Sequence, residues 1–324
     1  MNIIVTGGAG FIGSNLCEKL LNEGHKVICI DNFNEFYDPT IKRRNIETLK
    51  GNKFRLYEGD ILDKPFLSKV FSDNTIDIVI HLAAMAGVRP SIENPFLYYN
   101  VNVIGTLNIL EVMKERNVKN LIFASSSSLY GNNRKIPFSE LDNVDHPISP
   151  YAASKKAGEL LCHTYYHLYK FNINCLRFFT VYGPKQRPDL AIYKFTKALF
   201  NDEPIFFYGN GSTRRDYTNV NDIVHGIINA LKKLDGYNVY NLGESNTITL
   251  TELVNLLEKY TGKEAKINYL PMQAGDVNQT FADISKAKEN LVYSPKVSIE
   301  SGLKEFVNWY KTTMALNESI AFNQ

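Results

Sequence analysis

The 324-residue sequence lacks several features that would assign it to a specialised class of protein. Its four cysteines, Cys17, Cys29, Cys162 and Cys175, show no C-x-x-C spacing, which predicts buried free thiols in a reducing compartment rather than disulfides or a zinc site. No apolar run approaches the roughly 20 residues that span a bilayer, and no basic segment precedes the first strand pattern. We therefore expect a cytoplasmic protein with no metal and no membrane partner.

Charge of one sign is also missing. The 36 lysines and arginines nearly balance the 34 aspartates and glutamates, so the net charge of +2 gives no reason to expect a nucleic-acid partner. A local basic site for a small anion remains compatible with this composition. The chain length and the 44% hydrophobic content predict one large domain or two coupled domains with an ample core.

What is present at the N-terminus is a pattern typical of dinucleotide binding. The apolar run NIIVT is followed by GGAGFIG, which opens an amphipathic helix with Phe11 and Ile12 in its first turn. A glycine-rich loop alone would indicate only a tight turn. In this context Gly7 permits the turn, Gly10 lets backbone N–H groups approach a pyrophosphate, and Gly13 lets the helix pack on the sheet.

The residue that ends the next predicted strand indicates which dinucleotide is bound. Asp31, followed by Asn32, closes the apolar run that begins at Lys26. A carboxylate at this position would hydrogen-bond the hydroxyls of the adenosine ribose and repel a 2'-phosphate. Because no arginine occurs at positions 32–35 to compensate, we predict NAD rather than NADP.

Alternating strand and helix patterns continue through the first half of the chain. Strands near 53–57, 76–81, 118–125 and 173–179 alternate with helices near 41–50, 63–73, 95–116 and 150–170. This predicts an α/β fold with a Rossmann-type doubly wound parallel sheet, whose ligands bind at the carboxyl ends of the strands. Small or polar residues occur at those ends: Asp60 and Ile61, Ala83 and Ala84, and Ser125 to Ser128.

Two polar residues inside predicted elements need interpretation. His81 belongs to a strand, so we expect it to be structural. Asn102 is a poor helix former on a face that should be packed. It either caps a backbone kink or reaches the active site as a cofactor contact, and the spacing favours neither.

The stretch SPYAASKK contains a tyrosine and a lysine that can share a proton. Ser149 is a good N-cap and Pro150 suits the first helical position, so Tyr151 and Lys155 fall on one face of a helix. A phenol ordinarily has a pKa of about 10, and a neighbouring ammonium favours the phenolate. We therefore predict that the pair acts as a general base, although this spacing also occurs on solvated helices.

After about residue 180 the pattern changes to helices interrupted by short strands and loops rich in glycine and proline. This predicts a smaller mixed α/β substrate domain made of about 180–217 and 246–324. Residues 1–179 and about 218–245 would form the first domain.

Several of these motifs together resemble the extended short-chain dehydrogenase/reductase family of nucleotide-sugar epimerases and dehydratases. They are GGAGFIG, the aspartate at the strand end, FASSSSLYG and YAASK, and the resemblance covers nearly the whole chain. LRFFTVYGPKQRPDLAIYKFTKAL and RRDYTNVNDIV are similar to the UDP-glucuronate 4-epimerases. UDP-galactose 4-epimerases typically carry R-Y-F-N where this chain has Arg177, Phe178, Phe179 and Thr180.

The resemblance implies inversion of C4 through a 4-keto intermediate with tightly bound NAD. Ser126 would hydrogen-bond the sugar O4, Tyr151 would take its proton, and Lys155 would hold the nicotinamide ribose. Dehydratases that resemble this family carry an aspartate and a glutamate at the next two positions, where this chain has Ser127 and Ser128. Elimination and loss of CO2 would therefore lack their catalysts.

For the rest of the ligands the resemblance implies a UDP-sugar, a homodimer and a larger set of contacts. A glucuronate carboxylate would be held by Ser127, Ser128 and Thr180 with either Arg187 or Arg89; the flanking prolines favour Arg187. The implied cofactor contacts include Phe178, and the implied UDP contacts are Tyr208 or Phe206 for uracil, Arg215 for the diphosphate and Asp276 for a ribose. Gln273 stands where many relatives carry arginine.

Two other readings stay open. One is a UDP-glucose or UDP-N-acetylhexosamine 4-epimerase, since the small Thr280 would admit an N-acetyl group. The other is a non-catalytic NAD-binding protein, which the combination of Ser126, Tyr151 and Lys155 disfavours.

Overall fold

The apolar runs of the first half become the strands of one parallel sheet. The computed structural model describes residues 1–272 and 277–322. The strands in chain order are β1 (Asn2–Thr6), β2 (Lys26–Asp31), β3 (Phe54–Glu58), β4 (Ile78–His81), β5 (Asn120–Ser126), β6 (Asn172–Phe178), β7 (Thr180–Tyr182), β8 (Ile205–Tyr208), β9 (Arg214–Arg215), β10 (Tyr217–Asn219), β11 (Tyr237–Leu242), β12 (Ile248–Thr249) and β13 (Ile267–Leu270).

Helices connect these strands. They are α1 (Phe11–Asn22), α2 (Pro39–Ile46), α3 (Lys64–Ser72), α4 (Val88–Glu93), α5 (Pro95–Tyr99), α6 (Gly105–Glu115), α7 (Pro150–Tyr169), α8 (Ala191–Phe200), α9 (Val220–Lys232), α10 (Leu250–Thr261), α11 (Ser285–Leu291) and α12 (Ile299–Phe322). A π-helical turn, Asn100–Ile104, joins α5 to α6, and a 3-10 turn, Ser127–Tyr130, follows β5. The helix predicted near 95–116 therefore consists of two α-helices joined by a π-helical turn.

The main sheet has seven strands in the order β3-β2-β1-β4-β5-β6-β11, and every neighbouring pair is parallel. The direction of strand order reverses between β1 and β4. At such a switch point the connections leave toward opposite sides and open a crevice at the carboxyl ends of the strands. The predicted doubly wound parallel sheet is confirmed, and its switch point fixes where a ligand can bind.

Side chains of the central strands alternate between two apolar layers. Ile3 and Val5 of β1 pack in one core with residues of α1 and α9, whereas Ile4 packs in the other with residues of α3, α6 and α7. Both faces of the sheet are therefore covered by helices, which explains why its strands read as almost continuous apolar runs.

The second half of the chain contributes to this sheet and also builds a core of its own. Strand β11 pairs with β6 along its full length, and α9 packs against α1. A third cluster contains apolar side chains of α8, β8, α10 and α12, including Phe207, Leu253 and Phe306. The described part of the chain contains no helix long and apolar enough to cross a membrane. All four cysteines are buried and free.

A buried ion pair joins α7 to the carboxyl ends of β5 and β6. The guanidinium of Arg177 on β6 donates to both carboxylate oxygens of Glu159 on α7, at 2.9 and 2.8 Å. Ser125 donates to the same carboxylate at 2.6 Å, and Arg177 also donates to the Tyr130 hydroxyl at 3.0 Å. Tyr130 in turn donates to Asn241 on β11. The network satisfies each charge inside the core and sets the position of α7 on the sheet.

We expect Arg177→Met to lower the free energy of unfolding by about 3–5 kcal/mol, because it leaves the Glu159 carboxylate buried without its cation. Urea titration measures this loss. Lys64→Met removes one partner of the exposed Lys64–Glu115 pair and should cost less than about 1 kcal/mol. Equal effects of the two substitutions would show that burial does not decide the strength of the Arg177 contact.

Candidate active site

A large cleft, with a volume of about 940 Å³, follows the carboxyl edge of the sheet. Its opposite wall comes from α8, β8 and the loop after β7. Of the predicted site residues, the cleft is lined by Gly7, Gly10, Phe11, Ile12, Gly13, Asp31, Asn32, Asp60, Ile61, Ala83, Ala84, Arg89, Ser126, Ser127, Ser128, Tyr151, Lys155, Phe178, Thr180, Arg187, Tyr208 and Arg215. The fold therefore brings together, in one cleft, predicted site residues from the ends of several strands.

The glycine-rich loop approaches α1 more closely than a side chain would allow. Gly7 has a φ of +68°, and a Cβ at Gly13 would lie 2.1 Å from the Gly7 carbonyl oxygen. Gly10 precedes α1, and no side chain caps its first turn. The exposed N–H groups of a helix start beside a tight loop form an anion cradle, so these residues fit the pyrophosphate of a dinucleotide.

Asp31 lies at the end of β2 with its carboxylate partly committed to the backbone. Its oxygens accept hydrogen bonds from Ala9 N at 3.0 Å and Phe33 N at 2.9 Å. Burial raises the pKa of this carboxyl group, and the two backbone hydrogen bonds and the charge of Lys42 act in the opposite direction. Each carboxylate oxygen keeps a free lone pair that can accept from a ribose hydroxyl.

Lys42 is a cleft residue that the sequence analysis missed. It is buried on α2, lines the cleft, and donates to the Asn34 carbonyl oxygen at 2.9 Å. Lys42 lies beyond positions 32–35, the residues nearest to Asp31 in sequence, but the turn that ends at the Asp38 cap brings it back to the strand end. The Asp-Pro helix start, visible in the sequence, could have indicated this return.

The Tyr151 helix begins as predicted. The Ser149 hydroxyl accepts from Ala152 N at 3.1 Å, and Pro150 occupies the first turn. Tyr151 and Lys155 both line the cleft, and the Lys155 ammonium donates to the Ala124 carbonyl oxygen at 2.7 Å. The helix start and the end of β5 thus place the phenol and the ammonium beside the serine turn.

The pKa values of this pair bear on one prediction. Burial raises the pKa of Tyr151, while a hydrogen bond with Ser126 and the charge of Arg187 act to lower it. Burial also lowers the pKa of Lys155 to about 8. A net lowering of the phenol pKa is not found for the protein groups alone, because burial outweighs the contributions of Ser126 and Arg187, and the effect of Lys155 stays a prediction. Ser126 and Arg187 supply the stabilisation of the phenolate.

Asn102 requires a correction, because it does not line the cleft. It lies in the π-helical turn with 2% of its surface exposed. Its side chain accepts from Met85 N at 2.8 Å and donates to Met85 O and to Ser154 Oγ, both at 2.9 Å. The kink interpretation holds: Asn102 positions the loop after β4 and, through Ser154, the first turn of α7.

His81 belongs to the same buried network and is structural, as expected. Thr106 donates to the Asn102 carbonyl oxygen, so its hydroxyl accepts from His81 Nε2, 3.0 Å away. Thr6 accepts from Ala83 N and donates to His81 Nδ1 at 2.7 Å. This series of hydrogen bonds requires a neutral imidazole, and burial lowers the pKa of His81 to about 3.

The two candidate arginines for a sugar carboxylate occupy different surroundings. Arg187 donates to both oxygens of Asp189, at 2.9 and 2.6 Å, and its charge acts on Tyr151. The guanidinium of Arg89 instead lies over the Tyr208 ring, 4.3 Å from its centre. The charge of Arg187 therefore acts on the phenol at which the chemistry is predicted.

Three predictions of lesser weight have different outcomes. Asp276 and Gln273 lie outside the residues that the structure describes. Phe206 lines the cleft together with Tyr208, so the choice between them for uracil stays a prediction. Thr280 is buried and accepts from Asp216 N at 3.2 Å, away from the cleft lining. Because Thr280 does not line the cleft, its small size does not decide whether an N-acetyl group fits there.

A family model described as GDP-mannose 4,6-dehydratase matches residues 4–306. The chain belongs to this family. A UDP-glucuronate 4-epimerase of Thermodesulfobacterium geofontis is 47% identical over 319 residues, which cover 98% of each chain.

Solved structures resemble the whole chain. A UDP-glucuronic acid 4-epimerase from Bacillus cereus, in complex with UDP-glucuronic acid and NAD, is 40% identical with a TM-score of 0.91, covering 97% of this chain and 100% of that one. A UDP-glucose 4-epimerase from Thermotoga maritima with UDP-glucose is 35% identical with a TM-score of 0.90 and the same coverage. Family members with these folds therefore act on different sugars.

Proposed function

We propose that this protein is an NAD-dependent epimerase that inverts C4 of UDP-glucuronate to give UDP-galacturonate. The observation that carries the proposal is the placement of Ser126, Tyr151 and Lys155 in one cleft with Arg187, whose charge acts on the Tyr151 phenol. A general base, an oxygen-binding hydroxyl and a cation for a C6 carboxylate are the groups that this reaction needs.

NAD would be held by the glycine-rich loop, by Asp31 at its adenosine ribose and by Lys155 at its nicotinamide ribose. When bound, it accepts the C4 hydride and returns it to the opposite face of the sugar. Its positive ring would also favour the Tyr151 phenolate, opposing the burial that raises the pKa of that group. The Bacillus cereus relative described above, solved in complex with NAD, supports this choice of cofactor.

The residues of the chain have separate tasks in the proposed cycle. Ser126 hydrogen-bonds O4, and Tyr151 takes the O4 proton as the hydride leaves C4. A 4-keto sugar results. Tyr151 returns the proton to O4 after the sugar has presented its other face, so the residue is regenerated and no external reductant is consumed.

A glucuronate substrate places an extra demand on the site. The 4-keto intermediate is a β-keto acid, which loses CO2 when its carboxylate bond aligns with the carbonyl π-system. Ser127, Ser128 and Thr180 line the cleft and can hold the carboxylate by hydrogen bonds, with Arg187 supplying charge. Asp189 orients the Arg187 fork and keeps it beside Tyr151.

The family's descriptive name refers to a dehydratase, but within residues 1–272 and 277–322 the cleft does not present the pair of acids expected for elimination. Ser127 and Ser128 stand at the positions of the expected carboxylates. In the described part of the chain, the carboxylates that line the cleft are Asp31, Asp60 and Asp189. Asp31 caps backbone groups and Asp189 binds Arg187. Asp60 accepts from the Asn32 amide and from Leu62 N, so all three carboxylates are committed to protein groups.

The domain division, the UDP contacts and the compartment are also proposals. We assign residues 1–179 and about 218–245 to the NAD-binding domain because β11 and α9 pack with the first sheet, and the remainder to the UDP-sugar domain. Arg215, Tyr208 and Asp276 are proposed UDP contacts. The free cysteines suit a reducing compartment such as the cytoplasm.

A homodimer is proposed from exposed apolar residues on α5 and α7, two helices in contact. Phe96, Leu160 and Leu168 are 82%, 57% and 57% exposed. Large apolar side chains clustered on one surface indicate a partner. We expect light scattering to give twice the chain mass of 36.8 kDa. Leu160→Glu should give a monomer, whereas Leu141→Glu, at a residue 94% exposed outside both helices, should not. A monomeric wild type would refute the proposal.

Tyr151→Phe should retain the fold and NAD but lose epimerisation by at least about 100-fold, because the ring cannot accept the O4 proton. Product formation from UDP-glucuronate measures the loss, and NAD released on denaturation checks retention. Tyr166→Phe, on the same helix but outside the cleft lining, should behave as wild type. Wild-type turnover by Tyr151→Phe would remove the phenol from the mechanism.

Assays with a panel of UDP-sugars and no added NAD test the substrate. A carboxylate gains charge-assisted hydrogen bonds of about 1.5–3 kcal/mol each, so kcat/KM should favour UDP-glucuronate over UDP-glucose by about tenfold or more. Arg187→Ala should erode this preference and release some decarboxylated pentose product.

Arg89→Ala is the matched control, and it should change both kcat/KM values by a similar factor. An equal loss on both substrates in Arg187→Ala would assign Arg187 to the UDP moiety instead. Faster turnover of UDP-glucose or UDP-N-acetylglucosamine by the wild type would overturn glucuronate as the substrate but leave C4 epimerisation intact.

A further inference from the structure

A second, smaller cavity of about 210 Å³ lies outside the active-site cleft. Its walls come from α2 and the residues before it, from the loop after β7, and from α8 and α12. The cavity therefore lies between α2, which connects β2 to β3, and the helices α8 and α12 of the third apolar cluster. None of the residues assigned to NAD or to the UDP-sugar lines it.

Three hydrogen-bond donors line this cavity without an acceptor. Tyr193 is 8% exposed, and its hydroxyl forms no hydrogen bond within residues 1–272 and 277–322. Neither the guanidinium of Arg44 nor the indole N–H of Trp309 hydrogen-bonds to any residue in those ranges. Burial raises the pKa of Tyr193, so its hydroxyl keeps the proton that it would donate. Tyr193 is buried, Trp309 is half-buried and Arg44 is exposed, so the acceptor for these donors comes from a ligand or from solvent.

Two other charged side chains line the cavity: Lys185 is paired with a carboxylate, whereas Asp38 keeps its negative charge, which acts on Arg44. Lys185 pairs with Glu18 at 2.8 Å. Asp38 accepts from Thr40 N at 2.9 Å and from the Thr40 hydroxyl at 2.7 Å, as the cap of α2. Arg44 is thus the cation whose hydrogen-bond donors are available to a ligand. The other available donors, the Tyr193 hydroxyl and the Trp309 N–H, are neutral.

We propose that this cavity binds a small oxyanion, a carboxylate or a phosphate of a few heavy atoms. Planar oxyanions match the fork of an arginine, and a tyrosine hydroxyl and an indole N–H complete a set of convergent donors. The volume of about 210 Å³ admits such a ligand but is below the range typical of larger cofactor sites.

An anion held there would connect the cofactor cleft to the outer helices. Asn45, a neighbour of Arg44 on α2, donates to the carbonyl oxygen of Ala9 in the glycine-rich loop at 3.2 Å. Lys42 on the same helix lines the cleft. Binding to Arg44 together with Tyr193 on α8 and Trp309 on α12 would fix α2, and with it one wall of the NAD site, against those helices.

The chain offers a direct reporter, because Trp309 is its only tryptophan. The full-length protein is titrated with sodium phosphate and, separately, with sodium succinate in a buffer free of other oxyanions. We expect a saturable change in tryptophan fluorescence with at least one of them, and the tighter probe identifies the ligand class. A response to neither anion, or one that does not saturate, overturns the proposal.

Variants separate this cavity from the cleft. Arg44→Gln should weaken the apparent affinity by about tenfold or more, the expected loss for one charge-assisted hydrogen bond, and Tyr193→Phe should also weaken it. Arg43→Gln is the matched control, because Arg43 pairs with Glu58 and does not line the cavity, and it should leave the affinity unchanged. Equal affinity in wild type, Arg44→Gln and Tyr193→Phe would refute the site.

Discussion

The active site depends on burying a tyrosine and a lysine at the edge of a sheet without leaving polar groups unpaired. The Glu159–Arg177 pair makes this possible, because it anchors α7 one turn after Lys155 and ties it to β5 and β6 at once. Ser125 binds the same carboxylate and is followed directly by the serine turn. A shift of α7 would break these contacts together, so the buried Glu159–Arg177 pair fixes the position of Tyr151.

Burial has opposite consequences for the two groups of the proposed base. It raises the pKa of the phenol and lowers that of the ammonium, so neither change by itself favours the phenolate. The opposing contributions come from Ser126 and Arg187, which are also the residues proposed to contact the sugar. Substrate recognition and proton transfer therefore share the same few side chains.

The comparisons illustrate that a fold and a reaction are separate properties. The matching family model has the description of a dehydratase, whereas the similar solved structures are epimerases of different UDP-sugars. In this chain we propose that the distinction lies in side chains of the cleft, with Ser127 and Ser128 at the positions where the resemblance implies acids and with Arg187, whose charge acts on Tyr151. A scaffold with its cofactor at a fixed switch point can change reactions by changing such residues.

The sequence by itself determined the parallel sheet, the glycine-rich loop and the start of the Tyr151 helix, because these depend on local periodicity, on glycine and on caps read directly from neighbouring residues. Only the tertiary structure decided which groups meet across the chain. Lys42 reaches the Asp31 end through a turn, Asn102 lies behind the cleft, and Arg187 acts on Tyr151 from 36 positions away. Burial and long-range charge set these outcomes, and neither quantity is encoded by spacing along the chain.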